Sequence, residues 1–129
     1  MKTCMVVDDS SVGRKIARRI LEELEFRIIE AKDGEKAVEA RKSDLPDVVL
    51  LDWDTQVTDG CELFGNLLRL SGGDQPIVVI CTTESNIDHI SDALHAGSDE
   101  YVVKPFNRDA VVARFQDIRL IDQNSRISP

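Results

Sequence analysis

Three short runs in this chain are apolar at every position: Met5-Val6-Val7, Val48-Val49-Leu50-Leu51 and Ile77-Val78-Val79-Ile80. A strand with one wet face alternates apolar and polar residues, because successive side chains point to opposite sides. Runs that do not alternate fit strands covered on both faces, as in a parallel sheet packed between helices. The strands around them are Cys4–Val7, Val48–Leu51 and Ile77–Cys81, and Val- and Ile-containing runs at Arg27–Ala31 and Tyr101–Val103 add two more. Helical patterns fill the gaps. In the first, Val12, Ile16, Ile20, Leu21 and Leu24 form one apolar stripe, with Arg14, Lys15, Arg18 and Arg19 on the remaining surface. Arg18–Glu22 and Arg19–Glu23 have i,i+4 spacing, and Ser10 or Ser11 can cap the start. Further helical stretches are Glu35–Lys42, Cys61–Leu70, Asn86–Ala96, closed by Gly97, and Arg108–Leu120. Strictly alternating strands and helices predict an α/β fold, a doubly wound (βα)5 unit with a parallel five-stranded sheet and right-handed crossovers.

The chain has 129 residues, enough for one domain, expected over 1–121 with a short polar tail at 122–129. A net charge of −8 argues against a nucleic-acid binder, since phosphates must be met by Lys and Arg. No apolar run approaches the ~20 residues of a membrane span, and the amino terminus lacks the pattern of a secretory signal. The expected location is therefore the cytoplasm, with no nucleic-acid or membrane partner. Cys4, Cys61 and Cys81 show no CxxC spacing, so neither zinc nor a disulfide framework is indicated, and Cys4 and Cys81 fit small core side chains.

In parallel α/β sheets, binding sites lie outside the carboxyl ends of the strands. Asp8-Asp9 follow the first strand here, Asp52 ends the third, Thr82-Thr83 the fourth and Lys104-Pro105 the fifth. Taken singly, each is an ordinary solvated loop residue. Together they would set three carboxylates, a hydroxyl and an ammonium at one edge. Close carboxylates either take up protons or gather around a cation. A hard oxygen site with few protein ligands suits Mg²⁺, which keeps several waters and accepts phosphate oxygens. Asp52 is the best-placed nucleophile, able to attack phosphorus and give an acyl phosphate. Lys104 would draw off charge, and the Thr82 hydroxyl would donate to a phosphoryl oxygen.

The motifs Val6-Val7-Asp8-Asp9-Ser10, Leu50-Leu51-Asp52, Asp59-Gly60, Thr82 and Lys104-Pro105-Phe106 resemble, in order as well as identity, the receiver domains of two-component response regulators. The likeness covers residues 3–120 and is closest in kind to single-domain, chemotaxis-type regulators. It implies a flavodoxin-like sheet of order 2-1-3-4-5. It makes Asp52 the phospho-acceptor, fed by a histidine kinase or histidine phosphotransfer protein. Asp9 and Asp52 would bind Mg²⁺ directly with the backbone carbonyl of Asp54, and Asp8 through water. Thr82 and Lys104 would hold the phosphoryl group, and the Lys104–Pro105 peptide would be cis. As a switch, Thr82 would move inward and Tyr101 would change rotamer. The face made by the fourth helix, fifth strand and fifth helix would then alter its affinity for an effector protein. The domain would be no enzyme beyond self-phosphorylation and slow self-dephosphorylation, and a monomer or a weak phosphorylation-dependent dimer. With one helix and a tail after Lys104, protein contact is the expected output.

The chain departs from that family at Thr55, Gln56 and Thr58, where Met-Pro and a later Met are common; losing the proline frees the loop backbone. Asp54 and Glu84 lie two residues beyond Asp52 and Thr82, where the resemblance implies tuning of the self-hydrolysis rate. Gly13 weakens the first helix and is read either as room for a partner helix or as a tolerated glycine. His89 and His95, six apart, are no helical metal pair. Two rivals stand beside the receiver reading. Asp52-Trp53-Asp54-Thr55 matches the D-x-D-x-T of haloacid-dehalogenase-type phosphatases, but there the nucleophile strand comes first. A flavodoxin shares the architecture, but Asp8-Asp9 would repel a flavin phosphate.

Overall fold

A computed structural model describes residues 2–43, 45–52, 76–83, 99–105 and 107–118. Along them run β1 (Thr3–Val7), α1 (Ser11–Glu23), β2 (Arg27–Ala31), α2 (Gly34–Ser43), β3 (Val48–Asp52), β4 (Ile77–Thr83), β5 (Glu100–Lys104) and α3 (Arg108–Asp117). The strands form one parallel five-stranded sheet in the order β2-β1-β3-β4-β5, as the resemblance implies. Among the described residues no helix is long and apolar enough to cross a membrane. The helical stretches 61–70 and 86–96, the 53–60 loop with Asp54, and Cys61, Glu84, His89, His95 and the tail lie outside the described residues. So does the boundary at 121.

The non-alternating runs are buried on both sides, and alternation sorts them into two cores. Cys4 and Val6, Val48 and Leu50, Val79 and Cys81, and Val102 face a cluster completed by Ala17 and Leu21 of α1 and by Val111 and Phe115 of α3. Phe26 meets Phe115 there edge to face, with ring centres 5.5 Å apart. Met5, Val7, Val49, Leu51, Val78 and Ile80 face the other way, with Ala31, Ala37 of α2 and the partly buried Tyr101.

α1 starts where Ser10 accepts a hydrogen bond from the Gly13 N–H through its side chain. It stops at a Schellman turn: the Phe26 N–H donates to the Leu21 carbonyl and the Glu25 N–H to that of Glu22, with Glu25 left-handed at φ 68°. Its predicted stripe is covered at the carboxyl-terminal end alone: Leu21 is buried, with Ala17 beside it, and Ile20 and Leu24 are partly buried, whereas Val12 and Ile16 are 64% and 50% exposed. Arg18 pairs with Glu22 at 2.7 Å and with Glu30 of β2 at the same distance. Among the described residues the Arg19–Glu23 pair is not formed.

At the amino edge of the sheet, two acids act as backbone clamps. Asp47 accepts from the Thr3 N–H at 2.7 Å, while its own N–H donates to the Thr3 carbonyl. Asp99 does the same for Val78, accepting its N–H at 2.8 Å. Both fix the register with which β1 meets β3 and β4 meets β5.

Candidate functional site

At the opposite edge the acids turn toward one another. Asp8 leaves β1 with its N–H still donating to the Ala31 carbonyl of β2, which carries the β1 backbone one step past the strand. Its Oδ1 accepts the Ser10 N–H at 2.8 Å, and its carbonyl accepts from Arg14 Nη1 at 2.7 Å. Arg14 reaches on to Glu30, which also holds Arg18. The hydrogen bond from Arg18, then that from Arg14, keeps the Glu30 carboxyl below its ordinary range against partial burial. Asp8 is therefore fixed by backbone, cap and guanidinium before any ligand is considered.

Asp52 is the last residue of β3, paired in register with Cys81 of β4. Asp8 and Asp52 are buried and Asp9 is exposed, and one carboxylate oxygen from each lies within 4.8 Å of the other two. Lys104, ending β5, places Nζ 2.7 Å from Asp8 Oδ2 and 3.4 Å from Asp52 Oδ2. Partial burial works against that ammonium. The hydrogen bond to Asp8 and coulombic attraction to Cys81, Asp52 and Asp8 outweigh it, so its pKa is raised. The Lys104–Pro105 peptide is cis, as expected from the resemblance. Among the described residues the cluster gathers three carboxylates and one ammonium, a formal excess of two negative charges, and every donor is a hard oxygen. That charge and chemistry fit a hard dication such as Mg²⁺ better than a softer metal.

The structure thus brings together Asp8, Asp9, Asp52 and Lys104. Thr82 is fully buried at the end of the neighbouring strand, in register with Val103. Alternation along β4 sets it with Val78 and Ile80, the row opposite that of Cys81. Tyr101 stands on that same second side, half-buried, with the Arg114 guanidinium 4.3 Å from its ring centre and 3.7 Å from Glu100. Asp54, the fourth metal-binding position named from the sequence, lies outside the described residues. Two contributors were not singled out from sequence: the Ser10 N–H and the Arg14 guanidinium, both spent on Asp8. The serine after the acidic pair is legible as a helix cap; nothing local announces Arg14. Beside the acids an apolar groove of about 260 Å³ is lined by Gly13, Ile16, Thr83, Lys104 and Pro105.

Comparison with known proteins points the same way. The family model described as "Response regulator receiver domain" matches residues 4–116. The chemotaxis protein CheY of Halobacterium salinarum is 35% identical over 118 residues, which cover 91% of this chain and 96% of that protein. The phosphate regulon transcriptional regulatory protein PhoB of Escherichia coli is 32% identical over 126 residues, and the match covers only 52% of its length. Among solved structures, CheY4 of Vibrio cholerae superposes with a TM-score of 0.82 at 23% identity, over 94% of this chain and 99% of that one. The receiver domain of sensor histidine kinase PA1611 from Pseudomonas aeruginosa, solved with a magnesium ion coordinated in its active site cleft, gives 0.77 at 23% identity. That match covers 87% of this chain and 92% of that one.

Proposed function

Because this chain belongs to the response regulator receiver domain family, we propose that it is a phosphorylation switch in which Asp52 accepts the phosphoryl group and Mg²⁺ is held beside it. The observation that carries this reading is the convergence of Asp8, Asp9 and Asp52 with Lys104 at one strand edge. Asp9 and Asp52 would ligate the cation together with the Asp54 carbonyl, and Asp8 would act through water. Bound there, the cation supplies neutralisation of charge on the phosphoryl oxygens. A magnesium ion in the cleft of the PA1611 receiver domain supports the assignment by analogy of fold.

The chain's own residues do the rest. An Asp52 carboxylate oxygen attacks the phosphorus of a phosphohistidine; the P–O bond forms as the P–N bond breaks, and the imidazole leaves with the electron pair. Lys104, already hydrogen-bonded to the acids, shifts its ammonium toward the new phosphoryl oxygens, and the Thr82 hydroxyl donates to another of them. The donor would be a histidine kinase or histidine phosphotransfer protein, for which exposed Val12 and Ile16 beside the groove offer an apolar landing. Thr82 and Tyr101 would pass the change to a protein-binding face that engages a downstream effector. We place this activity in a receiver unit over residues 1–121, acting in the cytoplasm as a monomer or weak phosphorylation-dependent dimer. Hydrolysis of the acyl phosphate would be slow and intrinsic. The dehalogenase-type reading gains nothing from this arrangement, since in this chain the acidic pair Asp8-Asp9 precedes the nucleophile, whereas in that family it follows the lysine.

Mass spectrometry of the intact chain after incubation with acetyl phosphate and Mg²⁺ tests the proposal. One added phosphoryl group is expected, mapped to Asp52, absent without Mg²⁺ and absent in Asp52→Asn. No adduct, or one mapped to another residue, would sink it.

A further inference from the structure

Gly13 sits in the first turn of α1, a position where alanine would favour the helix. Its lack of a side chain has a neighbour-specific reason. A Cβ placed there would lie 2.5 Å from Asp8 Oδ2, 3.1 Å from the carboxyl carbon and 3.4 Å from Oδ1. That first distance is far inside van der Waals contact. The same Oδ2 is the atom 2.7 Å from Lys104 Nζ, while Oδ1 is held by the Ser10 N–H at 2.8 Å. The carboxylate is boxed between ammonium, amide and helix, and a Cβ at position 13 would force it to shift from the place where it makes both bonds.

We propose that Gly13 is a positioning residue that lets Asp8 park against Lys104, a resting arrangement from which a dication must draw the carboxylate before it can share it. The inference rests on the metal reading of the acidic site. A parked Asp8 is a competing state, and affinity for the cation falls in proportion to the fraction of molecules that occupy it. In Gly13→Ala the new methyl group expels Oδ2, Lys104 loses its nearer partner, and the carboxylate is released to the cation. Mg²⁺ should then bind roughly three- to tenfold more tightly, the range given by a parked population of about two-thirds to nine-tenths.

The test is a Mg²⁺ titration of the full chain by calorimetry, with the fluorescence of Trp53 as a second signal, for the native protein, Gly13→Ala, Asp8→Ala and the double variant. Tighter binding in Gly13→Ala is expected, with unchanged or higher thermal stability. The gain should vanish when Asp8 is already alanine, because the two positions act through one contact. Equal or weaker affinity in a folded Gly13→Ala overturns the proposal, as does a gain that survives in the Asp8→Ala background. Should the alanine variant not fold, the native protein still decides: Mg²⁺ must broaden or shift the Lys104 ammonium resonance by separating it from Asp8, and an unmoved resonance in a Mg²⁺-bound chain overturns the idea. A native chain that binds no Mg²⁺ at all overturns the metal reading itself, whereas equal binding by the two chains removes Gly13 alone.

Discussion

The two edges of the sheet both carry aspartates, and they use them in opposite ways. At the amino edge Asp47 and Asp99 spend their carboxylates on backbone N–H groups of adjacent strands, Thr3 and Val78. At the carboxyl edge Asp8, Asp9 and Asp52 point at each other, with a single lysine between two of them. An acid satisfied by a backbone donor stabilises the register and has little left for a ligand. Acids gathered close together repel one another, a local cost that a cation can offset. Residue type alone therefore says nothing about role; what each carboxylate faces decides it.

This contrast can be broken by experiment. The largest expected effect is on stabilisation by metal. At a hundred times its dissociation constant Mg²⁺ should raise the unfolding free energy by about 2.7 kcal/mol, and Asp9→Asn or Asp52→Asn should lose most of that gain. Asp47→Ala should keep it. Urea unfolding with and without Mg²⁺ measures both, and an Asp47→Ala chain that lost the metal response would dissolve the distinction between the edges. Next in size, Asp47→Ala should cost about 1–3 kcal/mol in the absence of metal, because the Thr3 N–H loses its charged acceptor at a part-buried site. A change below the error of the unfolding curve would show that water replaces the carboxylate freely.

Between the edges the sheet should reject charge altogether, which gives the most gradual effect, small at any one pH step. Cys4 is fully buried, and burial pushes its thiol up to about 12, against a hydrogen bond with the Leu50 backbone that favours the thiolate. In the unfolded chain the thiol ionises near its ordinary value of 9.0. The folded form therefore holds a proton that the unfolded form has lost, and stability must fall as pH rises from about 9 toward 12. The slope from this one group is about 1.4 kcal/mol per pH unit, with the raised Lys104 acting in the same sense at higher pH. Stability at stepped pH should show that alkaline limb, and Cys4→Ala should flatten its first part. An equal slope in the variant would place the titrating group elsewhere.

Most of the scaffold was legible because parallel strands covered on both faces leave no room for polar residues, and the runs at 5–7, 48–51 and 77–80 obey that rule. Strand ends were less legible. β4 runs on through Thr82 and Thr83, and β5 takes in Glu100 and Lys104, since backbone pairing continues where apolar character stops. Those polar ends are where the site lies. The residues of the acidic cluster and Lys104 could be named from sequence because each follows a strand whose direction the fold dictates. Their support could not. Arg14 on the Asp8 carbonyl and Gly13 behind the Asp8 carboxylate depend on a side chain folding back over the first turn of α1, a contact that no periodicity encodes. Val12 and Ile16 show the converse failure: helical spacing marks them as core, yet both are exposed beside the groove at the carboxyl edge.

A ribosome delivers this polypeptide from its amino end, and the β2-β1-β3 triplet is contained within residues 3–52. Its three aspartates can therefore be assembled while the lysine that partners two of them is still more than fifty residues from being made. During that interval a nascent chain must calm the repulsion without that ammonium, and β4 and then β5 add to a template that already bears it. Lys104 closes the circuit last.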